Sequence, residues 1–212
     1  MMISKSYYII LISVAVTLMS AFGCKKASLQ PDEYMNYLDH PENGIKKTRE
    51  IGGIKISVKY LPSDYLTYNE TKDSTHMFSQ SKRDSIKNTY GQSSTFLLTL
   101  GPSEGNSFDI TRVNVNSMEE FQQRMMAMSF SMDQMVVMQI GDKKIVPSIT
   151  QMEQLYGLRN KRDIVIVFDV NPEKLLKNDV AFIFKDELFY TGINKFTFKA
   201  EDINNIPDLK LK

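Results

Sequence analysis

The residue with the most specific chemistry is Cys24, the only cysteine in a chain of 212 residues. It lies in the stretch "LMSAFGCKK", where an apolar run ends and Lys25 and Lys26 follow. A disulfide framework needs paired cysteines, so an intramolecular disulfide is excluded. An exported protein also gains little from one exposed, oxidisable thiol. The sequence around Cys24 therefore has to indicate how the sulfur is used.

Other residues with catalytic or metal-binding chemistry do not occur at a diagnostic spacing. His40 and His76 are separated by 35 residues, and a structural zinc site lacks ligands. His40 fits a helix end before an Asn43-Gly44 turn. His76 could form a catalytic pair with Ser74 or Asp84, but no sequence motif supports such a pair. No G-x-S-x-G elbow surrounds a serine. We therefore predict no catalytic, cofactor-binding or metal-binding residues and regard enzymatic activity as open, with a non-enzyme favoured.

Methionines are concentrated in one segment, because seven of the 13 fall between Met118 and Met138. Thioether sulfur suits Cu(I), but if 135–140 is a strand, Met135 and Met138 point to opposite faces and cannot share an ion. Upstream, apolar residues recur at helical spacing and predict a helix face that packs on the core, where methionine fills irregular gaps: Met118, Phe121, Met125, Met128 and Met132. A methionine-lined groove for a protein or an apolar ligand stays an alternative.

Charged clusters give no firmer chemistry. Adjacent carboxylates occur at 119–120, 186–187 and 201–202, whereas a glycosidase needs two carboxylates about 5 to 10 Å apart across a cleft. We interpret the first and third pairs as helix starts and the second as a turn. The glycines of "GPSEGN" lack the lysine and following helix of a phosphate-binding loop. The basic residues of "GLRNKRD" are a candidate anion contact, but we interpret this stretch as a solvated loop.

The segment before Cys24 has the pattern of a secretory signal peptide. Lys5 is followed by an uncharged, largely apolar run from Ser6 to Gly23. Such a run also reaches the lower limit for a membrane span, roughly 18 residues. Hydroxyl residues dilute its second half, and Lys25 and Lys26 would lie on the translocated side, which disfavours a retained anchor.

The residues Ala21-Phe22-Gly23-Cys24 resemble the lipobox of bacterial lipoproteins. The resemblance implies that residues 1–23 are removed, that Cys24 carries a diacylglycerol thioether, and that a fatty acyl chain such as palmitate modifies the new amino group. Two or more acyl chains anchor a protein stably to a membrane. In that family the residue after the cysteine influences sorting, and Lys25 favours the outer membrane. Ala21-x-Gly23 also fits an ordinary signal-peptidase site, which would release a soluble protein.

Composition bounds the rest of the chain. Removal of residues 1–23 removes one of the 26 basic residues, so the mature chain has equal numbers of basic and acidic residues. A formally neutral chain has no basic excess for a phosphate backbone, so we expect no nucleic-acid partner. With 42% hydrophobic residues the chain can form one core. We therefore predict a signal peptide at 1–23, a lipidated tether at 24–30 and a single α+β domain at 31–212.

The predicted fold is α+β, with a mainly antiparallel or mixed sheet and a packed amphipathic helix. Hairpins are expected to turn at Gly52-Gly53 and Gly141-Asp142. Further strands are predicted at 95–100, 108–115, 163–170, 179–190 and 194–200, with 95–100 paired to 108–115. Helices are predicted at 32–40 and 117–132 and through 76–90, although 69–95 also fits an exposed loop.

These features favour a lipid-anchored protein of the bacterial cell envelope that binds or holds another envelope component, with an envelope protein and the membrane as partners. The segment "HPENGIKKTREIGGIKISVKYLP" resembles an exported-protein family, but that resemblance carries no activity. One alternative is an anchored hydrolase acting on cell-wall peptide or glycan, which needs a buried cleft joining His40 or His76 to a serine or carboxylate. Another is an apolar-ligand carrier, which needs a cavity lined by Met125, Met128 and Phe130.

Overall fold

The computed structural model describes residues 26–73, 78–153 and 160–210, and two antiparallel sheets form its centre. In chain order the strands of these residues are β1 (Ser28–Leu29), β2 (Lys46–Ile51), β3 (Ile54–Leu61), β4 (Ser94–Pro102), β5 (Val136–Ile140), β6 (Lys143–Ile145), β7 (Ile149–Met152), β8 (Arg162–Phe168), β9 (Val180–Asp186), β10 (Gly192–Phe198) and β11 (Asp208–Leu209).

The larger sheet has five strands in the order β2-β3-β4-β8-β7, and the smaller has four in the order β10-β9-β5-β6. Every neighbouring pair within these sheets is antiparallel. Both predicted hairpins form, with Gly52 and Gly53 at φ +59° and +81° and Gly141 at φ +56°, where glycine avoids the steric cost of other residues. The α+β fold class is confirmed, because helices accompany these sheets.

The core lies between the inner faces of the two sheets. Phe96 on β4 contacts Phe182 on β9 and Phe198 on β10, with ring centroids 5.5 Å and 5.3 Å apart. Phe168 on β8 packs edge-on against Phe182 at 6.2 Å. These rings are fully buried, and burial of each stabilises the fold by about 1.5 to 3 kcal/mol. The strand alternation read from the sequence therefore produces a sandwich held by aromatic residues.

The helices of the described residues are α1 (Pro31–Asp39), α2 (Ser63–Thr71), α3 (Gln80–Tyr90), α4 (Met118–Phe130), α5 (Met132–Met135) and α6 (Ala200–Asn204). Within the described ranges, no helix has the length and apolar character needed to cross a membrane. The apolar run at 6–23 lies outside those ranges.

The predicted amphipathic helix is α4, and it begins as expected. The Ser117 hydroxyl accepts a hydrogen bond from the backbone N–H of Glu120 at 3.1 Å and caps the helix. The packing differs from the expected face, because Met128 near the end of α4 and Met132 at the start of α5 are fully buried whereas Met118 is 65% exposed. Helix α4 packs beside β7, and only the carboxyl-terminal part of the predicted segment contributes fully buried methionines to the core.

The predicted strand at 108–115 is wrong. A short 3-10 helix at Ile110–Arg112 occupies this segment, and β4 pairs with β3 and β8 instead. The Asp109 carboxylate accepts hydrogen bonds from the N–H and hydroxyl of Thr111, both at 2.9 Å, and binds Arg162 at 3.1 Å. A local side-chain cap of this kind competes with strand formation.

Helix α2 was not predicted, and α3 forms the expected polar helix. The two helices pack together, and the Tyr90 hydroxyl donates to the Glu70 carboxylate at 2.7 Å. Partial burial and this hydrogen bond raise the pKa of Tyr90 to about 12. The alternative of an exposed loop over 69–95 is therefore wrong for the described part of that region.

The amino-terminal strand β1 lies close to the expected anchor. It pairs in parallel with β11, and the Ala27 carbonyl accepts a hydrogen bond from the Asp208 N–H at 2.9 Å. Lys26 lines the same pocket as Tyr60 and Pro62, which lie at the carboxyl end of β3. The predicted boundaries stay predictions, but folded structure begins within the expected tether. We call this end of the sandwich the anchor end.

Candidate functional site

Of the residues singled out from the sequence, those that the structure describes are not brought together in a catalytic or metal-binding cluster. Cys24 and His76 lie outside the described residues. His40 is exposed, and its backbone N–H caps α1 by donating to the Asn36 carbonyl at 3.0 Å. Among the described residues, no group of three histidine, cysteine, aspartate or glutamate side chains could hold a metal ion. His40 therefore gives the hydrolase alternative no support.

The methionines also divide between core and surface. Met135 ends α5 rather than beginning a strand, so the expectation that it and Met138 occupy opposite faces of one strand is wrong, and both side chains are buried. The residues proposed to line a carrier cavity diverge, because Met128 is fully buried whereas Phe130 is 77% exposed. The apolar-ligand alternative gains no support from them.

The basic stretch that leads into β8 has two described basic residues, and both are paired, whereas Arg159 lies outside the described residues. Lys161 lies 3.4 Å from the Asp163 carboxylate, and Arg162 binds Asp109. A cleft of about 310 Å³ on the outer face of the larger sheet includes Lys161 and Ser57 in its lining, but the Ser57 hydroxyl accepts from Thr48 at 3.2 Å. This cleft therefore has hydrogen-bonded hydroxyls and paired charges rather than an activated nucleophile.

The most unusual local structure is the loop that joins β9 to β10, residues 187–191, here named the Tyr190 loop. Asp186, at the end of β9, is buried and its carboxylate accepts four hydrogen bonds from this loop. Oδ1 accepts from the N–H groups of Leu188 at 2.9 Å and Phe189 at 3.0 Å. Oδ2 accepts from the N–H of Thr191 at 2.9 Å and from its hydroxyl at 2.5 Å. One carboxylate thus fixes both sides of the loop.

A second hydrogen-bonded residue supports this carboxylate. Asn194 on β10 is fully buried, and its amide donates to the Thr191 hydroxyl oxygen at 2.9 Å and to the Gly192 carbonyl at 3.2 Å. The loop is therefore tied to both strands that flank it. The Asn194 Oδ1 is buried without a hydrogen-bond partner in the described part of the chain, so the amide nitrogen alone supplies this support.

The network holds Tyr190 in a costly conformation. Tyr190 has φ +60°, and its side chain is 86% exposed. A left-handed conformation costs a residue with a Cβ roughly 1 to 2 kcal/mol, and an exposed ring gains little packing energy in return. Strain of this kind concentrates at functional sites, and tyrosine is enriched among residues that dominate binding energy. The loop therefore presents an exposed aromatic side chain on a backbone that hydrogen bonds hold in place.

Arg124 on α4 lies beside the loop. Its guanidinium is 5.1 Å from the centroid of the Phe189 ring and donates to the carbonyls of Thr111 and Val113. Partial burial lowers the pKa of Arg124, and the nearby Tyr190, Asp186 and Glu120 oppose that effect. Arg124 therefore connects α4 and the 110–113 segment to the Tyr190 loop.

The Tyr190 loop and the anchor end lie at opposite ends of the sandwich. Phe182 packs on Phe96 near the end of β3 that carries Tyr60, and Asp186 is four residues further along β9. Arg124 links the Tyr190 loop to the 110–113 segment, and the Ile110 N–H in that segment donates to the Asn160 carbonyl just before β8. At about 3.3 Å per residue, seven-residue strands place these ends roughly 20 Å apart or more.

Comparison with known proteins adds no relative: no protein-family model matches the chain, and neither a curated protein nor a solved structure matches it significantly. Sequence reasoning assigned the 186–187 pair to a turn and missed Tyr190. The available signal was an aspartate at a strand end followed by a short loop with threonine at its far side. That pattern predicts a side-chain-capped turn, but not the positive φ of Tyr190.

Proposed function

We propose that this protein is a lipid-anchored protein of the bacterial cell envelope, held in the outer membrane, which binds another envelope protein through the Tyr190 loop. The observation that carries the binding role is the strained, exposed Tyr190 on a loop fixed by the buried Asp186 carboxylate. A preorganised backbone lowers the entropic cost of binding, because the position from which the ring projects is fixed before the partner arrives and only the side chain has to be ordered.

The proposed anchor supports a defined orientation. Cys24 precedes Ala27 by three residues, which can span at most about 10 Å. Ala27 is hydrogen-bonded to Asp208 at the anchor end. A lipid on Cys24 would therefore keep that end near the bilayer and the Tyr190 loop away from it, where a protein rather than lipid is the available partner.

The anchor is tested by replacement of Cys24 with Ala in the natural host. We expect this variant to lose labelling by an alkyne-bearing fatty acid and to leave the membrane fraction. Labelling that persists in the variant, or a mature polypeptide whose mass retains residues 1–23, contradicts the anchor.

The binding role is tested with a photocrosslinking amino acid at position 190 in intact cells. Gln92, exposed after α3, is the matched control position. We expect one reproducible crosslinked protein from position 190 that is absent from position 92 and lost when Asp186 is replaced by Ala. The same adducts from both positions, or no adduct from position 190, would overturn the binding role.

A further inference from the structure

The outer face of the four-stranded sheet carries three lysines and no carboxylate at its nine outward strand positions. The pairing register defines this face, because Ile183 on β9 lies opposite Val137 on β5 and Lys195 on β10. The outward residues, here named the lysine face, are Val137, Gln139, Lys144, Ala181, Ile183, Lys185, Ile193, Lys195 and Thr197.

The charges of the lysine face are not neutralised within the described part of the chain, where Lys144, Lys185 and Lys195 form no ion pair. Lysines on the outer surface of the larger sheet behave differently, since each has a carboxylate within 4 Å: Lys46 and Lys59 with Asp39, Lys55 with Glu50, and Lys161 with Asp163. The two sheets thus present chemically different outer faces in a chain with almost no net charge.

Apolar side chains lie between these lysines. Ile193 is 69% exposed, and Val137 and Ile183 are half-buried. Lys185 and Lys195 are diagonal neighbours on paired strands, a relation that places such residues about 7 to 8 Å apart. Like charges at this spacing repel each other, so an anionic partner would relieve the repulsion while covering the aliphatic residues.

A depression beside Lys195 has mixed charge. It has a volume of about 180 Å³ and is lined by Lys195, Ala181, Gln139 and Asp179. The Asp179 Oδ1 accepts the Ala200 N–H at 2.9 Å at the start of α6, but this bond to a neutral donor leaves the carboxylate charged. An acidic partner is therefore expected to contact the lysines from the exposed surface rather than to fill this depression.

We propose that the lysine face binds an acidic surface of the same protein that contacts the Tyr190 loop, an inference that rests on the proposed function. The loop joins the two strands that supply Lys185 and Lys195, so loop and face form one continuous surface. Three lysines are fewer than the four to eight basic residues typical of anionic-lipid binding. This comparison favours a protein over a membrane.

The size of the face predicts the strength of the contact. Four strands about 4.8 Å apart and about six residues long cover roughly 300 Å², whereas a standard interface covers about 800 Å² per partner. The face alone therefore gives weak, salt-sensitive binding, and stable docking requires the Tyr190 loop as well.

The test uses the mature, full-length protein in nonionic detergent, with synthetic peptides as probes. In one peptide glutamate alternates with leucine, and in a second it alternates with serine. Acetylation of each lysine is followed by mass spectrometry. We expect both peptides to slow acetylation of Lys144, Lys185 and Lys195 but not of Lys55, with the leucine peptide effective at lower concentration. Replacement of all three lysines by Gln should weaken peptide binding about tenfold or more, with an unchanged urea midpoint.

The membrane alternative is tested by the same acetylation measurement with phosphatidylcholine vesicles in place of the peptides, with and without phosphatidylglycerol. Protection by anionic vesicles but not by peptides, or equal protection of Lys55, would overturn the proposal. Absence of any protection would also overturn it. If crosslinks from position 190 persist in that case, the proposed binding role survives and only the lysine face fails.

Discussion

Replacement of Asp186 by Ala removes the acceptor of four hydrogen bonds that fix the Tyr190 loop. Leu188 and Phe189 are buried, so their N–H groups cannot turn to water without moving the loop. An unsatisfied buried donor costs about 1 to 3 kcal/mol. Because the loop can relax in part, we expect the free energy of unfolding to fall by about 3 to 5 kcal/mol.

Replacement of Asp186 by Asn should have an intermediate effect. An amide oxygen in place of Oδ1 still accepts from Leu188 and Phe189, whereas the amide nitrogen faces the N–H of Thr191. The Thr191 hydroxyl can rotate to accept from the amide instead of donating, but the Thr191 N–H keeps no acceptor, so at least one donor is left unsatisfied. We expect a loss of about 1 to 3 kcal/mol.

Urea unfolding of the mature protein measures both losses, and hydrogen exchange locates them. The exposed neighbour Glu187, replaced by Ala, is the matched control. The amides of residues 188, 189 and 191 should exchange faster in both Asp186 variants than in the wild type. Their exchange rates should be unchanged in the Glu187→Ala control. An Asp186→Ala variant as stable as the Glu187→Ala control would refute the assignment of loop rigidity to this carboxylate.

Three further changes test separate parts of the structure. Tyr190→Gly should be about 0.5 to 1 kcal/mol more stable than Tyr190→Ala in urea unfolding, because glycine accepts φ +60° without strain, and equal stabilities would contradict the strain. Asp39→Asn should cost about 0.5 to 1 kcal/mol at neutral pH, since Asp39 is 48% exposed and bridges two lysines. Partial burial raises the pKa of Asp39, but the hydrogen bonds and charges of those two lysines outweigh it, so the pKa is lowered. The difference in unfolding free energy between wild type and variant should therefore shrink as the pH falls below about 4 and vanish once the pH is below the lowered pKa. A difference that persists at pH 2 would contradict the ion pair. Gly44→Ala should lower the melting temperature, because Gly44 has φ +75° and a Cβ would lie 2.0 Å from Asp202 Oδ2. A second replacement, Asp202→Ala, should remove the contacts with the carboxylate and recover part of the loss, but it leaves the Asp202 Cβ at 3.0 Å and the backbone strain unchanged.

Local patterns predicted the two glycine hairpins, because each hairpin depends on neighbouring residues, but they did not predict β1, β7 or β11. Gly52 and Gly141 lie at positive φ between alternating runs, and that combination has few alternatives. The segment at 108–115 has similar alternation but folds differently. Asp109 caps this segment locally through Thr111 and also binds Arg162, which lies 53 residues further along the chain. Contacts of that range cannot be read from periodicity.

The candidate site was less predictable than the fold for the same physical reason. The sequence assigned Asp186 to a turn, but the proposed binding role of that turn rests on the exposure and backbone strain of Tyr190. Both depend on three-dimensional hydrogen bonding by Asp186, supported by Asn194. The lysine face likewise follows from the register of four strands rather than from a run of basic residues.

If Cys24 carries a lipid as proposed, the short path from Cys24 to folded structure would restrict how the proposed binding surface is presented. If all seven residues 24–30 were extended tether, the domain could move about 24 Å from the membrane and turn freely. Pairing of Ser28 and Leu29 with β11 shortens this reach to about 10 Å. A partner would then meet the Tyr190 loop at a restricted height and orientation. Insertion of a flexible linker after Lys26 should therefore weaken a membrane-bound partner's contact without changing binding of a soluble acidic peptide, whereas equal effects on both would show that orientation is irrelevant.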